Sequence, residues 1–237
     1  PVDVPGGPEA AAIAGRALAA TVRVEAAGCG VSFTGTAFSV APGVFVTNAH
    51  VIAGADRVIL RGATGADRGT VVLFDPELDL ALVRAPDLQL PVLELAPRAP
   101  ERGATGAAVG HPNGAGLTAL PAAVTTQIRA RGRDIYGETA VVRDILELQA
   151  AIEPGVSGGP FVLLDGTVGG VVFAESRTDE AIGYALDPAA VSAAIEQASN
   201  PEVTPSPEKG FVRKAASPTT IKPSVTSESG GRRYGVL

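Results

Sequence analysis

The fold of this chain is decided by ten residues, Ala151-Ile-Glu-Pro-Gly-Val-Ser-Gly-Gly-Pro160, which lie between two apolar runs. A serine flanked by three glycines predicts a backbone that turns tightly and exposes one hydroxyl, because glycine has no Cβ. Such a turn also leaves the amides of Gly155 and Ser157 free to point at one spot, as an oxyanion hole requires. The pattern is typical of an acyl-transfer nucleophile, and the alternative is a glycine-rich turn with an incidental serine.

The composition describes a globular, acidic chain. Its 237 residues are 46% hydrophobic and 19% charged, with a formal net charge of −6, which suits one large all-β domain or two small ones that share a core. Lysine and arginine form no large cluster, so we expect no nucleic-acid partner. No apolar run approaches the ~18 residues of a membrane helix. The chain begins with Pro1 and has no leader-like segment, so we expect any signal or membrane segment to have been removed or to lie outside this sequence.

Short runs rich in Val, Ile, Leu, Phe and Thr, separated by turn residues, predict an all-β fold. One series of runs lies between residues 21 and 95 and a second between 106 and 185, with a Pro, Arg and Glu rich connection at 96–103. Each series has about six strands, the size of a small closed barrel. We therefore predict two six-stranded antiparallel β-barrels, at residues 21–98 and 99–200.

Three further segments flank or complete these barrels. Residues 1–20 are alanine-rich and predict a lead-in with a short helix. The second barrel is expected to end on a helix, with Asp187 as N-cap and Pro188 at the first helical position. Residues 201–237 are rich in Pro, Ser, Thr, Lys and Glu without apolar periodicity, which predicts a disordered extension or linker.

A serine nucleophile needs a neighbouring base, and the chain offers two histidines. His50 follows the apolar run 44–47, so a rigid strand end would hold it at a rim. His111 lies between Gly110 and Pro112, a context typical of a plain loop. We therefore expect His50 to be the base.

The base in turn needs an acceptor that orients it. Asp79 lies between apolar residues at the start of a predicted strand. Burying its carboxylate costs several kcal/mol unless it accepts hydrogen bonds, and an imidazole N–H would meet that need. Asp75 and Asp87 are each next to a proline and are typical of turns. Asp79 is therefore the candidate.

These residues carry a resemblance. Three segments, in this order and spacing, resemble the signatures of trypsin-like serine proteases of the chymotrypsin fold, nearest to the bacterial HtrA-type branch: Thr47-Asn48-Ala49-His50, Asp79-Leu80-Ala81-Leu82-Val83 and Gly155-Val156-Ser157-Gly158-Gly159-Pro160. Three more resemble the protease domain of the acid-resistance periplasmic serine proteases of actinobacteria, the MarP family: Gly35-Thr36-Ala37-Phe38, Asp134-Ile135-Tyr136-Gly137 and Gly169-Gly170-Val171-Val172-Phe173. The resemblance covers roughly residues 20–198.

The resemblance implies roles for individual residues. His50 would be the general base, Asp79 its orienter and Ser157 the nucleophile, with the amides of Gly155 and Ser157 as the oxyanion hole. Five residues would bind the substrate's P1 side chain: Ala151, Ile152, Phe173, Ala174 and Gly183. Because Ala151 stands where a preference for Lys or Arg would need a carboxylate, an apolar or uncharged P1 residue is expected, with Glu175 nearer the rim.

The resemblance also implies a function. It predicts a serine endopeptidase that acts through an acyl-enzyme on protein or peptide substrates outside the cytoplasmic membrane, in envelope stress or acid resistance. No cofactor or metal ion is expected, the protease domain would be monomeric, and an amino-terminal domain absent from this sequence would anchor it to the membrane. The alternative is a protease-fold binding module without catalysis. A lipase-type hydrolase is disfavoured, because there the histidine follows the serine.

Two residues depart from the family's pattern. Val156 precedes the nucleophile where Asp or Asn is usual, so we expect the loop 153–157 to be ordered by apolar packing rather than by a charge pair. Cys29 is the single cysteine, whereas close relatives pair two. It is expected to be a small half-buried turn residue rather than a reactive thiol.

Overall fold

The computed structural model describes residues 2–28, 30–176, 178–199, 225–227 and 233–236, so Cys29 lies outside the described residues. The helices in these ranges are α1 (Gly7–Ile13), α2 (Gly15–Ala20), α3 (Ala49–Ile52) and α4 (Pro188–Ser199), with a 3-10 turn at Pro112–Gly114. The strands of the first half are β1 (Thr21–Gly28), β2 (Val31–Ala41), β3 (Val44–Thr47), β4 (Arg57–Gly62), β5 (Gly65–Asp75) and β6 (Leu80–Arg84). Those of the second half are β7 (Thr105–Gly110), β8 (Thr118–Arg133), β9 (Ala140–Gln149), β10 (Pro160–Leu163), β11 (Val168–Ser176), β12 (Ile182–Leu186), β13 (Val225–Ser227) and β14 (Arg233–Val236).

The first six strands form a closed antiparallel barrel in the order β1-β2-β3-β6-β5-β4. Its interior is filled by alternate residues of each strand, as the period of two along a strand requires. Val22, Val24 and Ala26 of β1 point inward and meet Phe45 and Leu60 in one apolar cluster. The candidate base, His50, lies just after the end of β3, and the candidate acceptor, Asp79, lies just before the start of β6.

The strands β7 to β12 pair in a second ring, in the order β7-β8-β9-β12-β11-β10, and β10 pairs back to β7. All of these pairings are antiparallel. Phe161, Leu146 and Val172 are among the residues that fill its core. The predicted all-β fold with two six-stranded antiparallel barrels is confirmed.

A third apolar cluster joins the two barrels and the helices. It includes Phe38 and Leu82 from the first barrel, Val109 and Ile145 from the second, and Val191 of α4. The C-terminal helix is also confirmed: Asp187 accepts a hydrogen bond from the amide of Ala189 at 2.7 Å, and Pro188 is its first residue. The candidate site residues lie where the barrels meet, since the amide of Thr36 in β2 donates to the carbonyl of Ser157.

The segment predicted to be a disordered tail falls largely outside the described residues, namely at 201–224, 228–232 and 237. Within it, β13 pairs with β8 and with β14, and β14 pairs with β11. The hairpin therefore lies against edges of β8 and β11. Among the described residues, no helix has the length and apolar character needed to cross a bilayer.

Candidate active site

The first barrel presents His50 and Asp79 to each other. His50 lies in α3, directly after β3, and Asp79 lies in the short connection between β5 and β6. One carboxylate oxygen of Asp79 accepts from the backbone N–H of His50 at 2.9 Å, and the other lies 2.8 Å from His50 Nδ1. Because an ionised carboxylate only accepts hydrogen bonds, this contact puts the ring proton on Nδ1. The other ring nitrogen, Nε2, is left as a proton acceptor.

Asp79 is held in an unusual backbone conformation. Its φ is +63°, in the left-handed region that residues with a Cβ rarely adopt, and its side chain is almost fully buried. The side-chain amide of Asn48 donates to the Asp79 carbonyl at 2.9 Å. Upstream, the carboxylate of Asp75 accepts from the amides of Glu77 and Leu78 at 2.9 and 2.8 Å. These contacts stabilise a conformation that would otherwise cost about 1–2 kcal/mol.

The second barrel presents Ser157 on a tight turn. Gly155 and Gly158, on either side of it, have φ values of +95° and +84°. A Cβ at Gly155 would collide with the carbonyl oxygen of His111, and one at Gly158 would collide with the carbonyl oxygen of Thr36. Both positions therefore need glycine, for the backbone conformation and for the close approach.

The orientation of this turn is fixed by Thr36 of β2. The hydroxyl of Thr36 donates to the Gly155 carbonyl at 2.7 Å, and its backbone N–H donates to the Ser157 carbonyl at 2.8 Å. With the carbonyls held from this side, the Gly155 and Ser157 amides donate to no acceptor among the described residues. Two unpaired amides on one turn can stabilise a developing oxyanion.

Nε2 of His50 and Oγ of Ser157 are among the side-chain atoms that are buried without a hydrogen-bond partner in the described part of the chain, together with Asn48 Oδ1 and His111 Nε2. The serine turn packs against the end of β3, next to His50. A Cβ added at Gly158 would lie 3.1 Å from the backbone nitrogen of Asn48. The candidate nucleophile and the candidate base therefore lie at the same junction, and the atoms that would react are unpaired.

His111 has a different environment, as its loop context predicts. Its Nδ1 lies 3.0 Å from the carbonyl oxygen of Ala115, and its backbone N–H donates to the hydroxyl of Thr36 at 3.1 Å. Burial lowers the pKa of His111, the nearby Arg23 adds to this, and the Ala115 carbonyl opposes it. His111 thus supports the loop that packs on Gly155 and has no carboxylate as a hydrogen-bond partner among the described residues.

The sequence model of the family described as the trypsin-like peptidase domain matches residues 35–171 of this chain. The chain belongs to the trypsin-like peptidase family. Its two barrels match those of the crystal structure of the Rv3671c protease from Mycobacterium tuberculosis in its active form, with a TM-score of 0.77 and 34% identity, covering 83% of this chain and 88% of that one. The predicted chymotrypsin-like fold is confirmed by this match.

Sequence comparison gives relatives of the same kind. The chain is 38% identical to the serine protease Rv3671c of M. tuberculosis over 166 residues, which are 70% of this chain and 42% of that protein. It is 34% identical to a probable periplasmic serine endoprotease DegP-like of Chlamydia pneumoniae over 170 residues, which are 69% of this chain and 34% of that protein. The chain thus spans less than half the length of these curated relatives.

Within this trypsin-like peptidase, the residues predicted to bind P1 are only partly brought together. Ile152 is buried, and its side chain fills the space beside Gly183, where an added Cβ would collide with it. Phe173 and Ala174 lie buried on β11. Ala151 is exposed rather than enclosed. The buried members of this predicted set are therefore apolar, and the Ile152 side chain occupies the space next to Gly183.

Two further residues near this site are the predicted rim carboxylate and the residue before the nucleophile. Burial raises the pKa of Glu175, and the charge of Glu180 raises it further. Val156 is fully buried in the core of the second barrel and packs on Gly110. Its side chain thus occupies an apolar site, which fits the expectation that apolar packing orders the loop 153–157.

The sequence did not assign a role to Thr36 or to Arg143. Thr36 acts across 119 residues of sequence, so no local pattern reveals its contact with Gly155. Arg143 could have been found from the sequence pattern, because it occupies an inward position of β9 between the buried residues Val141 and Ile145. In the described residues, no cluster of His, Cys, Asp or Glu is suited to hold a metal ion.

Proposed function

We propose that this trypsin-like peptidase is a serine endopeptidase with Ser157 as nucleophile, His50 as general base and Asp79 as the residue that orients His50. The observation that carries the proposal is the double hydrogen bond from His50 to Asp79, which leaves Nε2 buried and unpaired, together with the buried and unpaired hydroxyl of Ser157 on a turn that packs against the neighbouring Asn48. An unpaired buried polar atom costs about 1–3 kcal/mol, so two of them at one junction indicate a site that a substrate completes.

The proposed reaction follows from these atoms. Ser157 Oγ attacks the scissile carbonyl carbon while His50 Nε2 takes its proton, and Asp79 stabilises the resulting imidazolium. The carbonyl oxygen becomes an oxyanion that accepts from the amides of Gly155 and Ser157. Collapse breaks the C–N bond, and His50 protonates the leaving amine. Water, activated by His50, then hydrolyses the acyl-enzyme and releases Ser157.

The edge of β11 offers a way to bind an extended peptide. Val172 of β11 exchanges hydrogen bonds with Gly158 and Gly159, next to the nucleophile. Farther along, Ala174 to Ser176 pair with β14 on the edge that β12 does not occupy. A substrate strand paired at this edge would run beside Ser157, with backbone hydrogen bonds supplying affinity. The apolar walls at Ile152 and Phe173 support an apolar or uncharged P1 residue.

We further propose that the whole protein acts outside the cytoplasmic membrane, in envelope stress or acid resistance, and is membrane-anchored in its full-length form. The relative from Chlamydia pneumoniae is a probable periplasmic serine endoprotease, which supports this location. The resemblance of the segments around Thr36, Tyr136 and Val171 to acid-resistance proteases supports the role. Fractionation of cells that produce the full-length protein tests the location, and recovery from the cytosol alone would contradict it.

A fluorophosphonate probe tests the enzymatic proposal against a catalytically silent binding module. We expect the folded protein to form one covalent adduct, located on Ser157 by mass spectrometry, and to hydrolyse peptides. Ser157→Ala should lose both properties and keep its thermal midpoint. A folded protein that forms no adduct on Ser157 would favour the binding module.

A further inference from the structure

Arg143 is a buried cation outside the residues assigned to catalysis. It points into the molecule from β9, with 5% of its surface exposed. Its Nε donates to the carbonyl oxygen of Glu77 at 2.6 Å, and its Nη2 donates to that of Arg133 at 3.3 Å. It makes no salt bridge within the described ranges. A buried charge without a directly paired carboxylate costs several kcal/mol, so its place on this strand needs a reason.

The carbonyl that Arg143 holds belongs to the connection that carries Asp79. Glu77 lies two residues before Asp79, and the amide of Ile135 donates to the neighbouring carbonyl of Pro76 at 3.1 Å. The β8–β9 hairpin of the second barrel therefore contacts this connection at two successive carbonyls, from Ile135 at its tip and from Arg143 within β9. A residue with a left-handed backbone, such as Asp79, persists only where its surroundings hold it.

The charged groups around Arg143 belong to the same region. Burial lowers the pKa of the Arg143 guanidinium, and the carboxylates of Asp79, Asp75, Asp134 and Glu77 act in the opposite direction, with Asp79 the strongest of the four. The guanidinium thus lies within electrostatic range of the carboxylate that orients His50, although it does not pair with it directly. An apolar residue of the same volume would fill the space but provide neither the donors nor the charge.

We propose that Arg143 is a positioning residue for the triad: by holding the Glu77 carbonyl it fixes the connection 75–79, and thereby the direction of the Asp79 carboxylate toward His50. The inference rests on the proposed function of His50, Asp79 and Ser157. It makes the second barrel responsible for the geometry of two residues that the first barrel carries. The competing explanation is that Arg143 only fastens the barrels together.

Two variants of Arg143 and one control separate these explanations. Arg143→Met keeps the side-chain volume and removes the charge and all donors, whereas Arg143→Lys keeps the charge and one donor group. Arg129→Met, on the exposed face of β8, is the matched control. For each variant kcat and KM are measured on one peptide, with active sites counted by fluorophosphonate. The low-field proton resonance of His50 Nδ1–H, hydrogen-bonded to Asp79, is recorded by NMR.

We expect Arg143→Met to lose about 10- to 100-fold in kcat per active site with KM within about twofold, since a misplacement of about 1 Å has such an effect. Its low-field resonance should shift or broaden. Arg143→Lys should recover only part of the loss, because an ammonium group does not reproduce the guanidinium donors that hold the carbonyls of Glu77 and Arg133. Arg129→Met should match the wild type. Unchanged kcat and resonance in Arg143→Met would overturn the proposal. So would a loss explained wholly by fewer active sites, which indicates a fastening role.

Should Arg143→Met fail to fold, Arg143→Lys decides. A folded Lys variant with reduced kcat and an altered resonance supports the proposal, and one identical to the wild type overturns it. Failure of the proposed function has a different signature, because the wild-type protein itself would then form no fluorophosphonate adduct on Ser157.

Discussion

The two barrels hold their parts of the site by different means. In the first barrel, Asp79 and His50 are fixed by hydrogen bonds, from His50 to the carboxylate at 2.8 and 2.9 Å and from Asn48 to the Asp79 carbonyl. In the second barrel, the turn around Ser157 is fixed by close packing at Gly155 and Gly158 and by hydrogen bonds from Thr36 to its carbonyls. The Ser157 hydroxyl and the amides of Gly155 and Ser157 stay unpaired in the described part of the chain. The first-barrel side is fixed through side-chain hydrogen bonds that, among the described residues, leave only His50 Nε2 and Asn48 Oδ1 unpaired, and the second-barrel side is fixed through its backbone.

This difference fits the chemistry that we propose for each side. A base must present one ring nitrogen in one tautomer, which requires a hydrogen-bonded partner for the other nitrogen. A nucleophile and an oxyanion hole must keep their polar atoms free for the substrate, so only the backbone around them can be held. Thr36 follows this rule, because it holds the carbonyls of Gly155 and Ser157 and leaves their amides free.

Substitutions at the reacting residues give the largest expected effects and test the comparison directly. Ser157→Ala, His50→Ala and Asp79→Asn should each lower kcat by about 10⁴- to 10⁶-fold, because the three groups act as a unit. Asp79→Asn should also destabilise the protein by about 1–3 kcal/mol, because an amide nitrogen would then face His50. Ser157→Ala should leave the thermal midpoint nearly unchanged. Any of these variants that retains more than a few per cent of activity would refute its assignment.

The packed side of the junction should instead respond to a single methyl group. Gly158→Ala places a Cβ against the Thr36 carbonyl and the Thr47 hydroxyl in a left-handed conformation. We expect a loss of about 3 kcal/mol in the free energy of unfolding and at least about 100-fold in kcat/KM. Gly116→Ala is the control, since no atom lies within 4 Å of its added Cβ. Equal thermal midpoints for the two variants would show that packing does not hold this turn.

The depth of the P1 pocket gives a smaller effect. Ile152 fills the space beside Gly183, so Ile152→Ala should admit larger side chains. We expect kcat/KM for P1 Leu or Phe to rise by about 10-fold relative to P1 Ala, the scale of one to two methylenes in an apolar pocket. A positional-scanning peptide library measures the P1 preference of the wild type and of Ile152→Ala. Selection for P1 Lys or Arg by the wild type would contradict the apolar pocket.

The strand β14 occupies the edge of β11 that we propose for the substrate, so the chain's own segment can be compared with a bound peptide. It pairs with Ala174 to Ser176 of β11, the edge at which we propose an extended peptide to bind. Removal of residues 200–237 should therefore lower KM about two- to fivefold with kcat unchanged, as expected for loss of a weak intramolecular competitor. A synthetic peptide of residues 225–236 should inhibit the shortened protein competitively. If KM stays the same and this peptide does not inhibit, β14 does not share the substrate's edge.

Much of this arrangement was predictable because chemistry restricts the choice of residues. Two histidines left one candidate base, and an aspartate amid apolar residues needed a partner such as His50. Both barrels were predictable from the strand pattern, because short apolar runs separated by turn residues are typical of β-strands. The contacts that join the barrels were not predictable. Thr36 and Arg143 act on residues 119 and 66 positions away, and no local pattern encodes such pairs.

The shape of the candidate P1 site could not be predicted from the sequence, for another physical reason. A pocket is the space that side chains leave, and the contact of Ile152 with Gly183 depends on how β12 pairs with β9. The same holds for the hairpin that supports Asp79. The inward position of Arg143 follows from alternation along β9, but its contact with Glu77 depends on the docking of one barrel on the other.

The smallest expected effect concerns Asp134, at the tip of that hairpin. Burial tends to raise the pKa of Asp134, but hydrogen bonds from the amides of Glu138, Thr139 and Tyr136 outweigh it and hold the pKa below its model-peptide value of 3.8. A depressed carboxylate pKa contributes stability that is present above pH 3.8 and is lost as the pH falls through the folded-state pKa.

Asp134→Asn should therefore lower the free energy of unfolding by about 1 kcal/mol at pH 7, and this difference from the wild type should shrink as the pH falls below about 4. Thermal midpoints measured between pH 7 and pH 3 test the sign. Asp144→Asn, on the exposed face of β9, removes the same charge and should show no such convergence. A difference between Asp134→Asn and wild type that stays constant or grows toward low pH would mean that the Asp134 carboxylate does not stabilise the hairpin in its ionised form.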